Sequence, residues 1–190
     1  MQGFTNIIIP NGTGVNSTSF SPDGTKVVGY DINTVFIWDA VTGKCEQTLQ
    51  GSSWMRSASF SQDGTKVVSC SMDNTVCIWD AVTGNCDKTL EGHSSYVRSA
   101  SFSPDGTKVV SWSMDNTVCI WDTVTGECKQ ILHEHSDCVN LVSFNLDGSK
   151  VVSSSDEAVS IWDAVTGECE QTLQGHSDCV LSASFNPDGT

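Results

Sequence analysis

The densest run of reactive side chains is His133-Glu134-His135-Ser136-Asp137-Cys138, six consecutive positions rich in metal-ligand types. Three of them could in principle reach one zinc ion, which takes imidazole, thiolate and carboxylate ligands. Asp137 and Cys138 recur, however, as Asp178 and Cys179 without any partner for His133. No metal centre is therefore expected. Ser, His and Asp also occur together at several points in the chain, the combination that activates a nucleophile. Neither a nucleophile elbow, an oxyanion hole nor a glycine-rich phosphate loop accompanies them. The expectation is a chain without catalytic residues and without a cofactor.

A second kind of chemistry is recognition. The chain has only two arginines, Arg56 and Arg98, and each follows an aromatic residue by two positions, Trp54 and Tyr96. On an extended strand, residues two apart share a face. Trp, Tyr and Arg are the types enriched at binding hot spots, and a guanidinium fork takes carboxylate or phosphate in a bidentate manner. Trp54, Arg56, Tyr96 and Arg98 are the candidate partner-binding patch, with Met72, Trp112 and Met114 as weaker neighbours.

The elements that position these residues follow from an internal repeat. Asp-Gly-Thr or Asp-Gly-Ser recurs at Asp23, Asp63, Asp105, Asp147 and Asp188, in steps of 40 to 42 residues. Trp-Asp recurs at Trp38, Trp79, Trp121 and Trp162, and Val-Thr-Gly at Val41, Val82, Val124 and Val165, with the same period. Each unit reads as four short strands. From Val97 the pattern alternates into Phe102, turns at Pro104-Asp105-Gly106, and runs on through Lys108 to Ser113. It turns again at Met114-Asp115-Asn116, and Thr117 to Trp121 and Glu127 to Leu132 complete the unit. Asp and Asn satisfy their own backbone in such turns, and no segment carries the 3.6-residue period of a helix. Val118-Cys119-Ile120-Trp121 is apolar at successive positions, so both faces of its sheet need cover. Radial stacking of sheets supplies it; a two-sheet sandwich is the alternative, but it gives no reason for the strict period.

Gly92-His93, Phe102-Ser103-Pro104-Asp105-Gly106 and Val118-Cys119-Ile120-Trp121-Asp122 resemble the signature of the WD-repeat β-propeller family, over nearly the whole chain. The resemblance implies an all-β propeller of four-stranded antiparallel blades at about 14-50, 54-91, 96-133 and 138-174. An orphan outer strand at 5-9 and an orphan inner strand at 180-185 flank them, so the propeller reads as incomplete at its C-terminal end. It further implies a hydrogen-bond network in each blade. In the third unit this joins His93, Ser111 or Ser113, Asp115 and Trp121; in the fourth, His135, Ser153 or Ser155, Asp156 and Trp162. The second unit keeps Asp73 and Trp79 but has Ser52 in the histidine place, and the first has Gly12 there with a shortened turn at Asp31. The first two blades are thus expected to be the looser ones. The candidate patch falls where the family has its variable rim around the central channel.

Composition sets the remaining bounds. Nine Lys and Arg against 23 Asp and Glu give a net charge of -14, which excludes readers of nucleic acid and of anionic membrane, since both demand clustered positive charge. Ser and Thr, 27 and 18 residues, make up almost a quarter of the chain. Nine cysteines without a secretory segment argue against a disulfide framework. Cys45, Cys86, Cys128 and Cys169 fall one per unit on outer strands, and stacked sheets lie about 10 Å apart, so these are expected to stay reduced; Cys77 and Cys119 read as small hydrophobes. The chain reads as soluble and cytoplasmic, with the nucleus left open. The leading expectation is a non-catalytic interaction scaffold that binds a protein or peptide partner, acidic or phosphorylated, on its rim. The alternatives are a ligand-recognition array of a nucleotide-binding sensor and a self-assembling ring of several copies.

Overall fold

The computed structural model describes residues 14–132, 139–156 and 158–186. They form sixteen strands in four antiparallel sheets, each a simple meander in chain order. The first blade contains β1 (Ser17–Phe20), β2 (Lys26–Tyr30), β3 (Thr34–Asp39) and β4 (Cys45–Gln50). The second contains β5 (Met55–Phe60), β6 (Lys66–Ser71), β7 (Val76–Asp80) and β8 (Cys86–Leu90). The third contains β9 (Val97–Phe102), β10 (Lys108–Ser113), β11 (Val118–Asp122) and β12 (Cys128–Leu132). The fourth contains β13 (Leu141–Phe144), β14 (Lys150–Ser154), β15 (Ala158–Asp163) and β16 (Cys169–Gln174).

The repeated turns explain why the strands stop where they do. Between strands one and two, the carboxylate of Asp63 accepts from the Ser61 hydroxyl at 2.6 Å and from the Thr65 N–H at 3.0 Å. Asp23 and Asp105 repeat these bonds in their own blades. The Ser21 hydroxyl, followed by the Thr25 bonds, holds the Asp23 carboxyl down at about 2. Between strands three and four, Asp39, Asp80, Asp122 and Asp163 each accept the N–H groups of the Val and Thr that follow. The next glycine, such as Gly84 at φ 74°, supplies the left-handed residue that closes this turn.

Apolar residues at successive positions of strands two and three serve both faces of each sheet. Val67 and Trp79 face back to the first blade, in one cluster with Val28, Ile37 and Leu49. Val68 and Ile78 face forward, in one cluster with Val97, Val109 and Trp121 of the third blade. The third and fourth blades repeat the arrangement through Val110, Ile120, Val151 and Trp162. Each fully buried Val, Leu or Ile contributes about 1.5–3 kcal/mol, so the repeat stabilises itself mainly at the interfaces between neighbouring blades.

Equivalent residues differ at the two ends of the stack. Leu49, Leu90 and Leu132 are at most 1% exposed, whereas Leu173, at the same place in the fourth blade, is 49% exposed. Phe20 is 68% exposed, while Phe60, Phe102 and Phe144 are half-buried against a neighbouring blade.

One sequence expectation is corrected. Residues 180–185 are not a strand: residues 181–186 carry no strand pairing, and the tail meets the fourth blade through the Val180 N–H to the Ser155 carbonyl at 3.2 Å. An apolar alternation is only half of a strand, because the backbone also needs a partner to accept and donate its hydrogen bonds. Residues 5–9, His135 and the run 133–138 lie outside the described residues.

Candidate functional site: the rim and the network beneath it

Trp54 and Tyr96 immediately precede β5 and β9. Their carbonyls accept the N–H groups of Met72 and Met114, each at 2.9 Å, which fastens the start of strand one to the turn after strand two. Met55 and Val97 are buried. Trp54, Arg56, Tyr96 and Arg98 all lie on the open side, Trp54 60% and Tyr96 47% exposed; Arg56 and Arg98 are each the extra residue of a bulge against strand two, between Met55 and Ser57 and between Val97 and Ser99.

The structure divides the four residues into two pairs on adjacent strands. Trp54 and Arg56 border a cavity of about 320 Å³ between the first two blades, lined also by Asn16, Tyr30, Ile32 and Met55. The Tyr30 hydroxyl donates to the Arg56 carbonyl at 2.5 Å, and burial raises its pKa above the ordinary value. One blade further on, the Arg98 guanidinium lies 5.7 Å from the centre of the Trp112 ring, in a cation–π contact. The Ala100 N–H donates to the Ser57 hydroxyl at 3.2 Å, tying β9 to β5 close to the two arginines. Met114 is exposed beside Tyr96, and Met72 is half-buried. Tyr30 and Ile32 were not legible as rim residues. A signal existed in the fifth position of strand two, which reads Tyr30, Cys70, Trp112 and Ser154 while the Lys-Val-Val that opens the strand repeats.

Beneath the rim, the third blade carries the complete network. Trp121 Nε1 donates to Ser111 Oγ at 2.8 Å, and His93 Nε2 lies 2.8 Å from the same oxygen. His93 Nδ1 lies 3.1 Å from Asp115 Oδ2, which also accepts the Ser94 N–H at 2.8 Å. Asp115 Oδ1 accepts the Thr117 N–H at 3.0 Å and its hydroxyl at 2.6 Å. A neutral imidazole satisfies every group: Trp121 N–H to Ser111, Ser111 O–H to His93 Nε2, and His93 Nδ1–H to Asp115. Burial lowers the His93 pKa, against the opposing pull of Asp115. For Asp115, burial acts to raise the pKa, but the Thr117 and Ser94 bonds outweigh it and the net shift is downward. Ser111 is fully buried and its oxygen is engaged by Trp121. This Ser-His-Asp order thus ties strands together and offers no accessible nucleophile. Of the two serines the sequence left open, Ser111 is the member; Ser113 donates to the Ser95 carbonyl at 2.9 Å.

The other blades carry parts of this network. In the second, Trp79 donates to Ser69 at 2.8 Å, and the Ser52 and Ser71 hydroxyls both donate to Asp73. Among the described residues no side chain joins the two halves. In the fourth, Trp162 donates to Ser153 at 2.7 Å, and Asp156 accepts from Asn140 at 3.5 Å and from the Cys179 thiol at 3.3 Å. In the first, Gly29 takes the serine's place and Trp38 Nε1, although buried, has no acceptor among the described residues.

The repeat pattern of the family described as WD domain, G-beta repeat matches residues 43–80, 84–122, 126–163 and 167–190. The chain belongs to this WD-repeat family. Each full match begins in the turn before the outer strand of one blade and ends on strand three of the next, so one sequence repeat contributes to two WD-repeat blades. Repeats of this family generally mediate protein–protein interaction and are typically non-catalytic. Among curated proteins none matches the chain. Among the described residues, no group of three or more His, Cys, Asp or Glu is placed to hold a metal ion, and no helix is long and apolar enough to cross a membrane.

Proposed function

We propose that this WD-repeat chain is a non-catalytic scaffold that binds an acidic or phosphorylated peptide segment across Trp54, Arg56, Tyr96 and Arg98. One observation carries the reading. In a chain of net charge -14, neither arginine forms an ion pair with a described carboxylate; Lys26, Lys66, Lys129 and Lys150 do, and Lys44, Lys88 and Lys108, like the arginines, do not. Two guanidinium groups without a carboxylate partner, on the same rim as the exposed Trp54 and Tyr96 rings, favour an anionic partner with an apolar anchor. The anchor has a place in the cavity under Trp54. The experiment is an array of acidic and phosphorylated peptides, each with its neutral counterpart, probed with the native chain and with Arg56→Glu/Arg98→Glu. Binding of the anionic peptides falls about tenfold or more in the variant. Equal binding by both proteins overturns the reading.

A second reading is association of copies through the end blades, favoured by the exposure of Phe20 and Leu173 where their equivalents are covered. The fourth blade of one copy then meets the first blade of another through the same faces that already pair within the chain. Concentration-dependent assembly in sedimentation, abolished by Leu173→Lys, supports it; a monomer at all concentrations excludes it.

A further inference from the structure

The rim lies at the start of strand one, and a second concave surface lies at the other end of the same strands. There each turn between strands one and two carries one variable residue ahead of its aspartate: Pro22, Gln62, Pro104 and Leu146. Where this residue is proline, it closes the seam to the next blade. A Cβ built on Gly148 would lie 3.5 Å from Pro104 Cδ, and one built on Gly64 would lie 4.0 Å from Pro22 Cδ. In the second blade Gln62 stands in the proline's place, and Gly106, the glycine of the next turn, has nothing within 4 Å of the same position.

The seam between the second and third blades is therefore open. Toward the strand-one side it continues into a cavity of about 330 Å³ bordered by Phe60, Phe102, Phe144, Gln62, Pro104 and Leu146. Toward the outer strands it continues into one of about 370 Å³ bordered by Ile78, Val124, Asp63, Asp87 and Asp105. Phe102 borders both and joins them into one groove. Leu146 is 70% and Val124 78% exposed, and apolar side chains left open beside such a groove mark an interaction surface. Asp63, Asp105 and Asp147 stand exposed along it, and bonds from the hydroxyls of Ser61, Ser103 and Ser149 first of all hold their carboxyls below the ordinary value. Of the lysines nearby, Lys66 is paired with Asp80 and Asp87 and Lys150 with Glu170, while Lys88 and Lys108 have no ion pair with a described carboxylate. The carboxylates remain in excess.

We propose that this groove is a second interaction surface, which docks a basic segment of a partner protein: its apolar side chains rest on Phe102 and Leu146, and its lysines or arginines face Asp63, Asp105 and Asp147. Charge complementarity selects the occupant. An acidic border attracts a basic segment and disfavours a second copy of this chain, whose net charge is -14. The floor selects the anchor, because phenylalanine edges and a leucine side chain offer no hydrogen bond and favour leucine, phenylalanine or tryptophan. The length of strand one, about 17–20 Å, separates the groove from the level of Trp54 and Tyr96. The two surfaces differ in charge as well as in place, so one chain holds an anionic and a cationic segment at once. The proposal does not depend on what the rim binds.

The probe is a synthetic peptide with two leucines flanked by lysines, titrated at physiological salt beside a counterpart with glutamate for lysine and another with serine for leucine. The native chain binds the basic apolar peptide about tenfold more tightly than either counterpart. Leu146→Lys, at an exposed site, weakens that binding about tenfold. Gln62→Pro gives the second turn the proline of the first and third, closes the seam and weakens binding as well. Arg56→Glu/Arg98→Glu binds the peptide as the native chain does. Equal binding of either counterpart, or no binding of any of the three, overturns the proposal. Undiminished binding by Leu146→Lys or Gln62→Pro, or loss of binding in the arginine variant, places the peptide elsewhere and overturns it too. Self-association that Leu146→Lys abolishes would assign the groove to a second copy, again against the proposal.

Discussion

The third and first blades share a backbone plan but differ in what their tryptophans rest on. Trp121 donates to Ser111, and the chain of bonds continues through His93 to Asp115 and the turn beyond. Trp38 is equally buried, but it faces Gly29 and stacks on Phe36 with ring centres 5.4 Å apart. Its Nε1–H meets no acceptor among the described residues. The difference shows that the repeat specifies shape and stability separately. Apolar patterning gives both blades the same meander, while the polar network that locks strand to strand is present in one and missing in the other. A buried donor without a partner costs about 1–3 kcal/mol, so the first blade holds its shape with less margin.

The comparison can be broken or sharpened by mutation. The largest effect belongs to Trp121→Ala, which removes a ring from the interface of the second and third blades together with the top of the network; about 3–5 kcal/mol is lost in urea unfolding. Ser111→Ala follows at about 1–3 kcal/mol, because it orphans both Trp121 and His93. Ser69→Ala serves Trp79 alone and costs measurably less; equal losses for the two serines would show that the histidine adds nothing. Gly29→Ser is smaller and carries the more informative sign. It offers Trp38 an acceptor, but the new Cβ would lie 2.9 Å from Thr18 Cγ2, 3.0 Å from Trp38 Cζ3 and 3.1 Å from the Ser17 carbonyl. Crowding outweighs the added bond and the variant loses about 1 kcal/mol; a gain in stability would mean that the first blade is loose enough to yield.

The smallest effect is a pH dependence. His93 has a folded pKa below its ordinary 6.5, so below that pH the unfolded chain binds more protons than the folded one. Its stabilising contribution is complete above pH 6.5 and is lost as pH falls through the folded value. Asp115, also depressed, adds a loss of the same sign at more acid pH. Unfolding curves of native chain and His93→Gln converge as pH falls from 7; a constant gap would place the imidazole outside the titrating network.

Most of the fold was legible because the repeat states it four times. The Asp-Gly, Trp-Asp and Val-Thr-Gly ladders mark turns whose hydrogen bonds are local, and local bonds follow from sequence. What escaped depends on partners distant in the chain. Residues 180–185 have the alternation of a strand but not its pairing. Tyr30 and Ile32 reach the rim only because the second blade packs against the first. The expectation of two loose blades is refined, since the second keeps the Trp79 bond to Ser69 and replaces the histidine with Ser52.

Hydrogen exchange of the four buried indole N–H groups tests the central claim most directly, because each reports the opening of its own blade. The account predicts that Trp121 exchanges slowest, that Trp79 is intermediate and that Trp38 is fastest, since its donor has no bond to break. Equal protection of Trp38 and Trp121 would contradict it.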